Sequence, residues 1–411
     1  MADVVAGAAG KLKNKQLRVK HQRVKLFRAN ETVLSVFMWG VNHTVLGLNH
    51  VSAPVMLLPD DFKSYSKVKV DNHLYNKQTL PSHFKVKEYC PLVFQNLRER
   101  FGIDNQTYRE SLTASQPIPL DSPGRSNARF YLSHDHLFVI KTLMSEEVEH
   151  MHSFLKHYHG YIVEAHGKTL LPQYMGLYRL TVDGVEHYMV VMRNVFSYNF
   201  RIHWKYDLKG STVERMASDR EKEKDLPTLK DNDFVNNGQK IYIGPEAKEK
   251  LMETLKADCA FLTKLNVMDY SLLLGIHDCE RGEMEEEADA RAALEEGQQD
   301  EDTGGEDSGG DHPSMVPTPP DSPGHARVRG TSNGQIDPQT DIFAIPSQDT
   351  APRREIYFLA IIDALTHYGV KKQAAKAAKT MKYGDKAEGI STVEPEQYAR
   401  RFLEFMARAI E

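Results

Sequence analysis

The chain has 411 residues, 40% of them hydrophobic, only three cysteines and a formal net charge of −5. That length suits two or three domains, or one large domain with an insertion. Cys90, Cys259 and Cys279 are few and far apart, which excludes a disulfide framework and a zinc knuckle and points to a reducing compartment.

The net charge is unevenly spread. Residues 280–311 hold 14 acidic and 2 basic residues, a local −12, so the rest of the chain carries +7. A basic folded part suits an anionic partner, either lipid or nucleic acid. No apolar run reaches the roughly 18 residues of a spanning helix, and the start of the chain has no signal-peptide core. A soluble intracellular protein is expected, with membrane-surface binding left open.

In chain order, residues 1–10 read as disordered. Lys11, Lys13, Lys15, Arg18, Lys20, Arg23, Lys25 and Arg28 follow with no acid among them, a tail suited to anionic lipid at about 1 kcal/mol per charge. Residues 31–42 read as a helix ending near Gly40. Residues 51–58 read as a strand and 62–74 as a second, weaker one. Residues 87–101 read as an amphipathic helix with Tyr89, Val93, Phe94, Leu97 and Phe101 on one face, stopped by Gly102. Residues 117–127 read as a loop. Residues 129–141 read as a hairpin that turns at residues 133–136 and ends on Lys141.

Ser145 is placed as the N-cap of the next helix, with Glu146 and Glu147 in the turn that the helix dipole favours for acids. Strands are expected at 170–180 and 187–195, and a helix is opened by Pro245. The apolar runs Leu272–Ile276 and Glu355–Asp363 have the composition of buried strands. The acidic, Gly-rich and Pro-rich stretch between them, 280–352, has too few apolar residues to order itself. Within it Thr318-Pro and Ser322-Pro suit proline-directed phosphorylation, and 342–345 suits a short ordered piece. Residues 371–382 form an Ala-rich basic helix pattern with Lys372, Lys376 and Lys379 on one face. Pro395 opens a last helix with Tyr398, Phe402, Phe405 and Met406 inward.

If the two apolar runs pair as a hairpin, Asp269 before the first lies near Asp363 after the second. Two carboxylates at one end of a sheet can hold Mg²⁺ and accept a hydroxyl proton. A strand ending on lysine, an acidic helix, a strand into a linker and this hairpin follow the order of a kinase. In that scheme Lys141 holds nucleotide phosphates, Asp269 orients or deprotonates the acceptor, and Asp363 binds the metal. The usual protein-kinase strings are absent. The pairs His150/His152 and His157/His159 lack the cysteine or carboxylate company of a metal site.

Further strings carry a resemblance. Asp207-Leu-Lys-Gly-Ser-Thr212, Met268-Asp-Tyr-Ser-Leu-Leu273 and Ile361-Ile-Asp363 are similar to signatures of the phosphatidylinositol phosphate kinases. With Pro54-Val-Met-Leu-Leu-Pro-Asp-Asp-Phe62, Glu88-Tyr-Cys-Pro91 and Pro227-Thr-Leu-Lys-Asp-Asn-Asp-Phe234, the chain resembles the type II subfamily, the phosphatidylinositol-5-phosphate 4-kinases, from about residue 24 to 410. The resemblance implies an α+β, two-lobed kinase-like fold with antiparallel sheets, flanking helices and a flat basic membrane-facing surface. Its parts would be a disordered basic start (1–23), an N-terminal lobe (24–195), a C-terminal lobe in two pieces (196–279 and 353–411) and the disordered insertion (280–352).

It also implies ATP and Mg²⁺ as cofactors, with Lys141, Asp269 and Asp363 as the catalytic set. Arg193, Asn194 and Val195 would form the hinge beside the base, and Lys205 would approach the nucleotide. The loop 207–211, with Lys209, would border the active site. Arg215 and Lys230 would bind the inositol phosphate, which suits paired cations. Ala375, flanked by Lys372 and Lys376, would stand where this family selects its lipid. Met192 replaces a threonine that some type II members carry, and a thioether lacks hydroxyl hydrogen bonding. Glu147 and Glu149 are both candidates to pair with Lys141. The implied partners are phosphatidylinositol 5-phosphate in membranes, a second copy of the chain or a related subunit, and a type I kinase, with no nucleic acid. The implied location is cytoplasmic, peripheral on internal or plasma membranes, and nuclear. Other readings are a type I-like 4-phosphate 5-kinase, a weakly active phosphoinositide-binding scaffold, or a basic nucleic-acid binder.

Overall fold

The computed structural model describes residues 27, 29–51, 54, 56–71, 80–120, 128–299, 335–366 and 393–411, with the side chains of 293–299 outside the description. The basic tail and the stretch holding Lys372, Ala375 and Lys376 lie outside the described residues, as do Thr318 and Ser322.

Two sheets carry the architecture. The first half of the chain supplies α1 (Thr32–Leu48), β1 (Tyr65–Asp71), β2 (His83–Tyr89), α2 (Pro91–Arg100), α3 (Asn105–Thr113), β3 (Ile118–Leu120), β4 (Phe130–Leu132), β5 (Phe138–Leu143), α4 (Ser145–Glu164), β6 (Tyr174–Val182) and β7 (Val185–Arg193). Its strands form a seven-stranded sheet ordered β1-β2-β6-β7-β5-β4-β3. The second half supplies β8 (Trp204–Leu208), α5 (Asp219–Lys222), β9 (Thr228–Lys230), α6 (Asp231–Asn236), α7 (Pro245–Lys264), β10 (Ser271–Asp278), α8 (Cys279–Gln299), β11 (Ala344–Pro346), β12 (Glu355–Ile362) and α9 (Pro395–Ala409). These strands form a five-stranded sheet ordered β11-β12-β10-β8-β9, antiparallel except for β8 beside β9. The α+β, two-lobed expectation holds.

The expected hairpin of the two apolar runs is present: Ser271 pairs with Ile362 and Asp278 with Glu355. Leu272, Leu274, Ile276, Leu359 and Ile361 are fully buried, which is why these strands read as nearly continuous apolar runs. The Lys141 hairpin, the helix opened by Pro245 and the last helix are also as expected.

Several local expectations fail, each for a visible reason. The first helix does not stop at Gly40; it runs to Leu48. A Cβ at Gly40 would lie 2.7 Å from Val86 Cγ1, so this glycine serves helix-on-sheet contact and does not end the helix. Residues 87–89 belong to β2, and the helix begins at Pro91 after Cys90 turns the backbone to φ 47°. The described residues of 51–58 form no strand: Leu58 N donates to Asp61 Oδ2 at 2.6 Å across a turn. Residues 117–127 contain the short β3. Met144, not Ser145, caps α4, because the Glu147 carboxylate reaches back to accept Met144 N at 2.8 Å.

The acidic insertion begins as a helix. In α8, Glu285 accepts from Arg201 at 2.9 Å and from Arg281 at 2.8 Å, Asp289 pairs with Arg201, and Glu283 pairs with Arg354. Cations elsewhere in the fold offset a charge density that composition alone reads as disorder.

Candidate active site

Lys141 stands on β5, paired across the sheet with Phe130 and Val190. Its ammonium lies 3.2 Å from Asp363 Oδ1 and 3.7 Å from Glu147 Oε1. Glu147, on the first turn of α4, is therefore the acid that faces the lysine, and Glu149 is exposed on another side of the helix. Elements from both lobes thus meet at one ammonium: β5 and α4 on one side, the end of β12 on the other.

Asp363 follows directly on Ile362, and Asp269 precedes Ser271 by two residues, so the aspartates flank one end of the β10/β12 hairpin. Both have left-handed backbones, φ 59° and 69°, a conformation that aspartate tolerates better than most residues. Met268 N donates to Thr366 O at 3.0 Å and ties the two approaches together. Behind Asp269, Tyr270 is fully buried against Tyr398 and Phe402 of α9, and Tyr398 OH donates to the Tyr270 carbonyl.

Lys209, expected among the substrate contacts of this loop, stands against Asp269. Its ammonium donates to Asp269 Oδ1 at 2.8 Å and to the Asp269 carbonyl at 2.6 Å. The loop that presents it wraps a buried carboxylate. Asp231 Oδ1 accepts from Lys209 N at 2.9 Å, Gly210 N at 2.7 Å and Ser211 N at 3.4 Å. Three successive amides around one anion form a nest. Gly210 has φ 66°, and a Cβ there would lie 2.9 Å from the Arg401 carbonyl oxygen and Phe402 Cα of α9.

Arg215, expected to bind the inositol phosphate, is enclosed by carboxylates. It is only 8% exposed. Its Nε donates to Asp231 Oδ2 at 2.7 Å and its terminal nitrogen to Asp207 Oδ1 at 2.7 Å. It braces the loop. Both carboxylates raise its pKa, against the lowering by burial, which is the largest single effect. Lys230 sits opposite Asp207 in the β8/β9 register, and Lys205 is two residues back on the same face of β8.

At the end of β7, where the hinge is expected, Arg193 N donates to Gln173 O and Asn194 N to Leu137 O. The Arg193 guanidinium points away into protein, donating to the carbonyls of Phe101 at 3.2 Å and Gln339 at 2.7 Å. Asn194 Nδ2 donates to His136 O. Val195 packs beside Phe196 on the small cluster of Phe200, Ile356 and Phe358. Met192 pairs with Val139 in the β5/β7 register. The histidines of α4 have ordinary roles: His152 lies edge-on to Tyr89, and His159 bonds Asn96 at 2.8 Å.

Leu273 and Ile362 escaped the reading of the sequence. By register both share a face with Asp207, and both are partly exposed while their strand neighbours are buried. Asp231 was missed too, although an acid at the first position of a helix is a legible sign.

For the metal, the donor set is informative. Among the described residues no three His, Cys, Asp or Glu side chains cluster as a closed metal site. Asp363 is a single carboxylate, its side chain 47% exposed. This fits Mg²⁺, which is usually held by one or two carboxylates together with substrate phosphates.

A family model described as phosphatidylinositol-4-phosphate 5-kinase matches residues 111–409. The phosphatidylinositol 5-phosphate 4-kinase type-2 alpha of Rattus norvegicus is 58% identical over 405 residues, 98% of this chain and 97% of its own. The Homo sapiens type-2 alpha protein is 57% identical over the same shares of both chains. The Homo sapiens type-2 beta protein is 58% identical over 391 residues, 95% of this chain and 92% of its own. The chain belongs to the phosphatidylinositol phosphate kinase family, in its type-2 branch of 5-phosphate 4-kinases.

Proposed function

We propose that the chain transfers the γ-phosphate of ATP to the 4-hydroxyl of phosphatidylinositol 5-phosphate, giving the 4,5-bisphosphate. The observation that carries this is the meeting of Lys141 with Glu147 and Asp363, with Asp269 at the same end of the hairpin. Names and identity of the relatives support the lipid, and the geometry supports the phosphoryl-transfer roles.

In this reading Lys141 contacts the nucleotide phosphates, and Glu147 keeps its ammonium aimed at them. Asp363 would hold Mg²⁺, which supplies charge neutralisation at the phosphates when bound. Asp269 orients the acceptor hydroxyl and takes its proton as the hydroxyl oxygen bonds to the γ-phosphorus and the bond to the β-phosphate oxygen breaks. Lys209 fixes the rotamer of Asp269. Leu273 and Ile362 support the base, with the backbone of residues 193–195 beside it and Lys205 approaching the nucleotide. Lys230 contacts the inositol phosphate, and Arg215 braces the loop that borders it. Catalysis is then chiefly positioning and charge stabilisation. Ala375, Lys372 and Lys376 are proposed to select the lipid and meet the bilayer.

We also propose a homodimer paired through the N-terminal lobe, where β1 is an outer edge of its sheet with backbone groups able to pair. Two basic faces on one plane would gain avidity for an anionic bilayer. No described helix is long and apolar enough to cross a membrane, which suits a peripheral enzyme.

The test is labelled-phosphate transfer from ATP to vesicles holding the 5-phosphate or the 4-phosphate, with wild type and Asp269→Asn. Label on the 5-phosphate with wild type alone is expected. Equal turnover by Asp269→Asn would remove the catalytic assignment, and preference for the 4-phosphate would reassign the substrate.

A further inference from the structure

The carboxylate of Asp258 lies outside the site described above. It sits on α7 with zero exposure. Its three donors all come from one stretch, the end of α4 and the link to β6. Tyr161 OH donates at 2.7 Å and Thr169 Oγ1 at 2.6 Å to Oδ1, and Leu170 N donates at 2.8 Å to Oδ2. Tyr161 also stacks on Phe261 of α7, ring centroids 4.4 Å apart at 12°. Thr169 Oγ1 in turn accepts Leu171 N at 3.0 Å, so one hydroxyl joins the carboxylate to the turn of the link.

That link bonds onward to both halves of the site. Leu170 O accepts Ile361 N at 2.7 Å. Ile361 is two residues before Asp363, at a level of β12 that β11 does not reach, since β11 pairs no further than Phe358. Gln173 O accepts Arg193 N at 3.0 Å at the start of the hinge, and Pro172 O accepts Tyr158 OH of α4 at 2.7 Å. Residues 169–173 therefore form a strap. One end registers the strand that leads into Asp363, and the other registers the hinge. It continues α4, whose first turn carries Glu147. Among the described residues, Asp258 is the side chain of the C-terminal lobe that accepts hydrogen bonds from this strap.

We propose that Asp258 is a positioning residue for phosphoryl transfer: by clamping the strap 169–173 it sets the spacing between Asp363 and the Lys141–Glu147 pair. It touches no substrate and acts through Leu170 and Ile361. A carboxylate suits the task better than an amide, because all three partners are donors and an ionised carboxylate is an acceptor at both oxygens. Burial pushes this carboxyl up to about 6, against the lowering by its three hydrogen bonds. The inference rests on the lipid-kinase reading for its activity readout, and on nucleotide binding alone for its second readout.

The test uses the full chain. Asp258→Asn places an amide N–H against a donor. Thr169→Val removes one donor and the acceptor for Leu171, whereas Thr169→Ser keeps the hydroxyl. Leu255→Ala, one turn earlier on α7 and fully buried, is the control for plain destabilisation. Measured are kcat and KM for ATP on 5-phosphate vesicles, per folded protein at a temperature below every unfolding midpoint, and the Kd for ATP with Mg²⁺ in the absence of lipid. Asp258→Asn and Thr169→Val are expected to lower kcat about 10- to 100-fold, the scale of a misplacement near 1 Å, and to weaken ATP binding. Thr169→Ser is expected to restore both, and Leu255→Ala to change neither. Wild-type values for Asp258→Asn, or losses matched by Leu255→Ala, would overturn the proposal. If wild type labels no lipid, the functional reading fails while the nucleotide Kd still decides the role of the strap.

Discussion

The most exacting perturbation is Asp231→Asn. Asp231 is 1% exposed and holds three amides of the 209–211 loop and the Nε of Arg215. Asparagine is isosteric and can keep its oxygen toward the amides. Its NH₂ then faces the Arg215 N–H, donor against donor. Removing one partner of a buried ion pair costs about 3–5 kcal/mol, and a stranded donor alone costs about 1–3. Arg215 keeps Asp207 at 2.7 Å, so the lower part of the first range applies, about 3 kcal/mol. For a urea m-value near 3 kcal/mol/M, that lowers the unfolding midpoint by about 1 M. Turnover of the folded enzyme should fall at least about tenfold, because the loop also aims Lys209 at Asp269. Adding Arg215→Met removes the stranded cation, so the double variant should be less destabilised than the sum of the singles by about 2 kcal/mol. A single-variant midpoint within about 0.5 kcal/mol of wild type, or strict additivity with Arg215→Met, would refute this account.

Other outcomes follow from the same structure. Gly210→Ala combines a left-handed φ with a Cβ 2.9 Å from α9 backbone; about 2–4 kcal/mol of stability should be lost, read as a drop in Tm by calorimetry, and an unchanged Tm would contradict the packing argument. Lys209→Met should leave stability within about 1 kcal/mol but cut kcat with little change in KM for ATP, since it touches Asp269 and not the Lys141 side; steady-state kinetics on vesicles checks it, and a KM effect alone would be the wrong sign. For Asp258, the folded carboxyl is raised from 3.8 to about 6 by burial. The stability owed to this group is therefore full below about pH 4 and is lost as pH rises through 6. Relative to wild type, Asp258→Asn should flatten the unfolding free energy from urea titrations across that window by an amount of order 3 kcal/mol, and parallel curves for the two proteins would show that the carboxyl does not titrate there.

Much of the site was legible because strand burial writes itself as an apolar run. Leu272–Ile276 and residues 355–362 could be paired on paper, and the aspartates at their ends came with them. Lys141 came with its hairpin in the same way. What stayed hidden depends on contacts distant in sequence. Nothing local marks Gly40 as packing on Val86 instead of ending a helix. Nothing in an acidic run says that Arg201 and Arg354 will meet it. The bond from Lys209 to Asp269 and the two carboxylates around Arg215 are likewise absent from any local pattern of the 207–211 loop. Polar nests have no period, so no pattern of spacing announces them.

The β10/β12 hairpin has a consequence for how such a chain can diversify. Its inner ends, Asp278 and Glu355, are held side by side whatever runs between them. Closing a loop costs little more as it lengthens, about 0.6 kcal/mol per doubling. The stretch between α8 and β11 can therefore lengthen or shorten at small thermodynamic expense, while Asp269 and Asp363, at the opposite end of the ladder, keep their places. Novelty can accumulate at one end of the hairpin without disturbing the chemistry at the other.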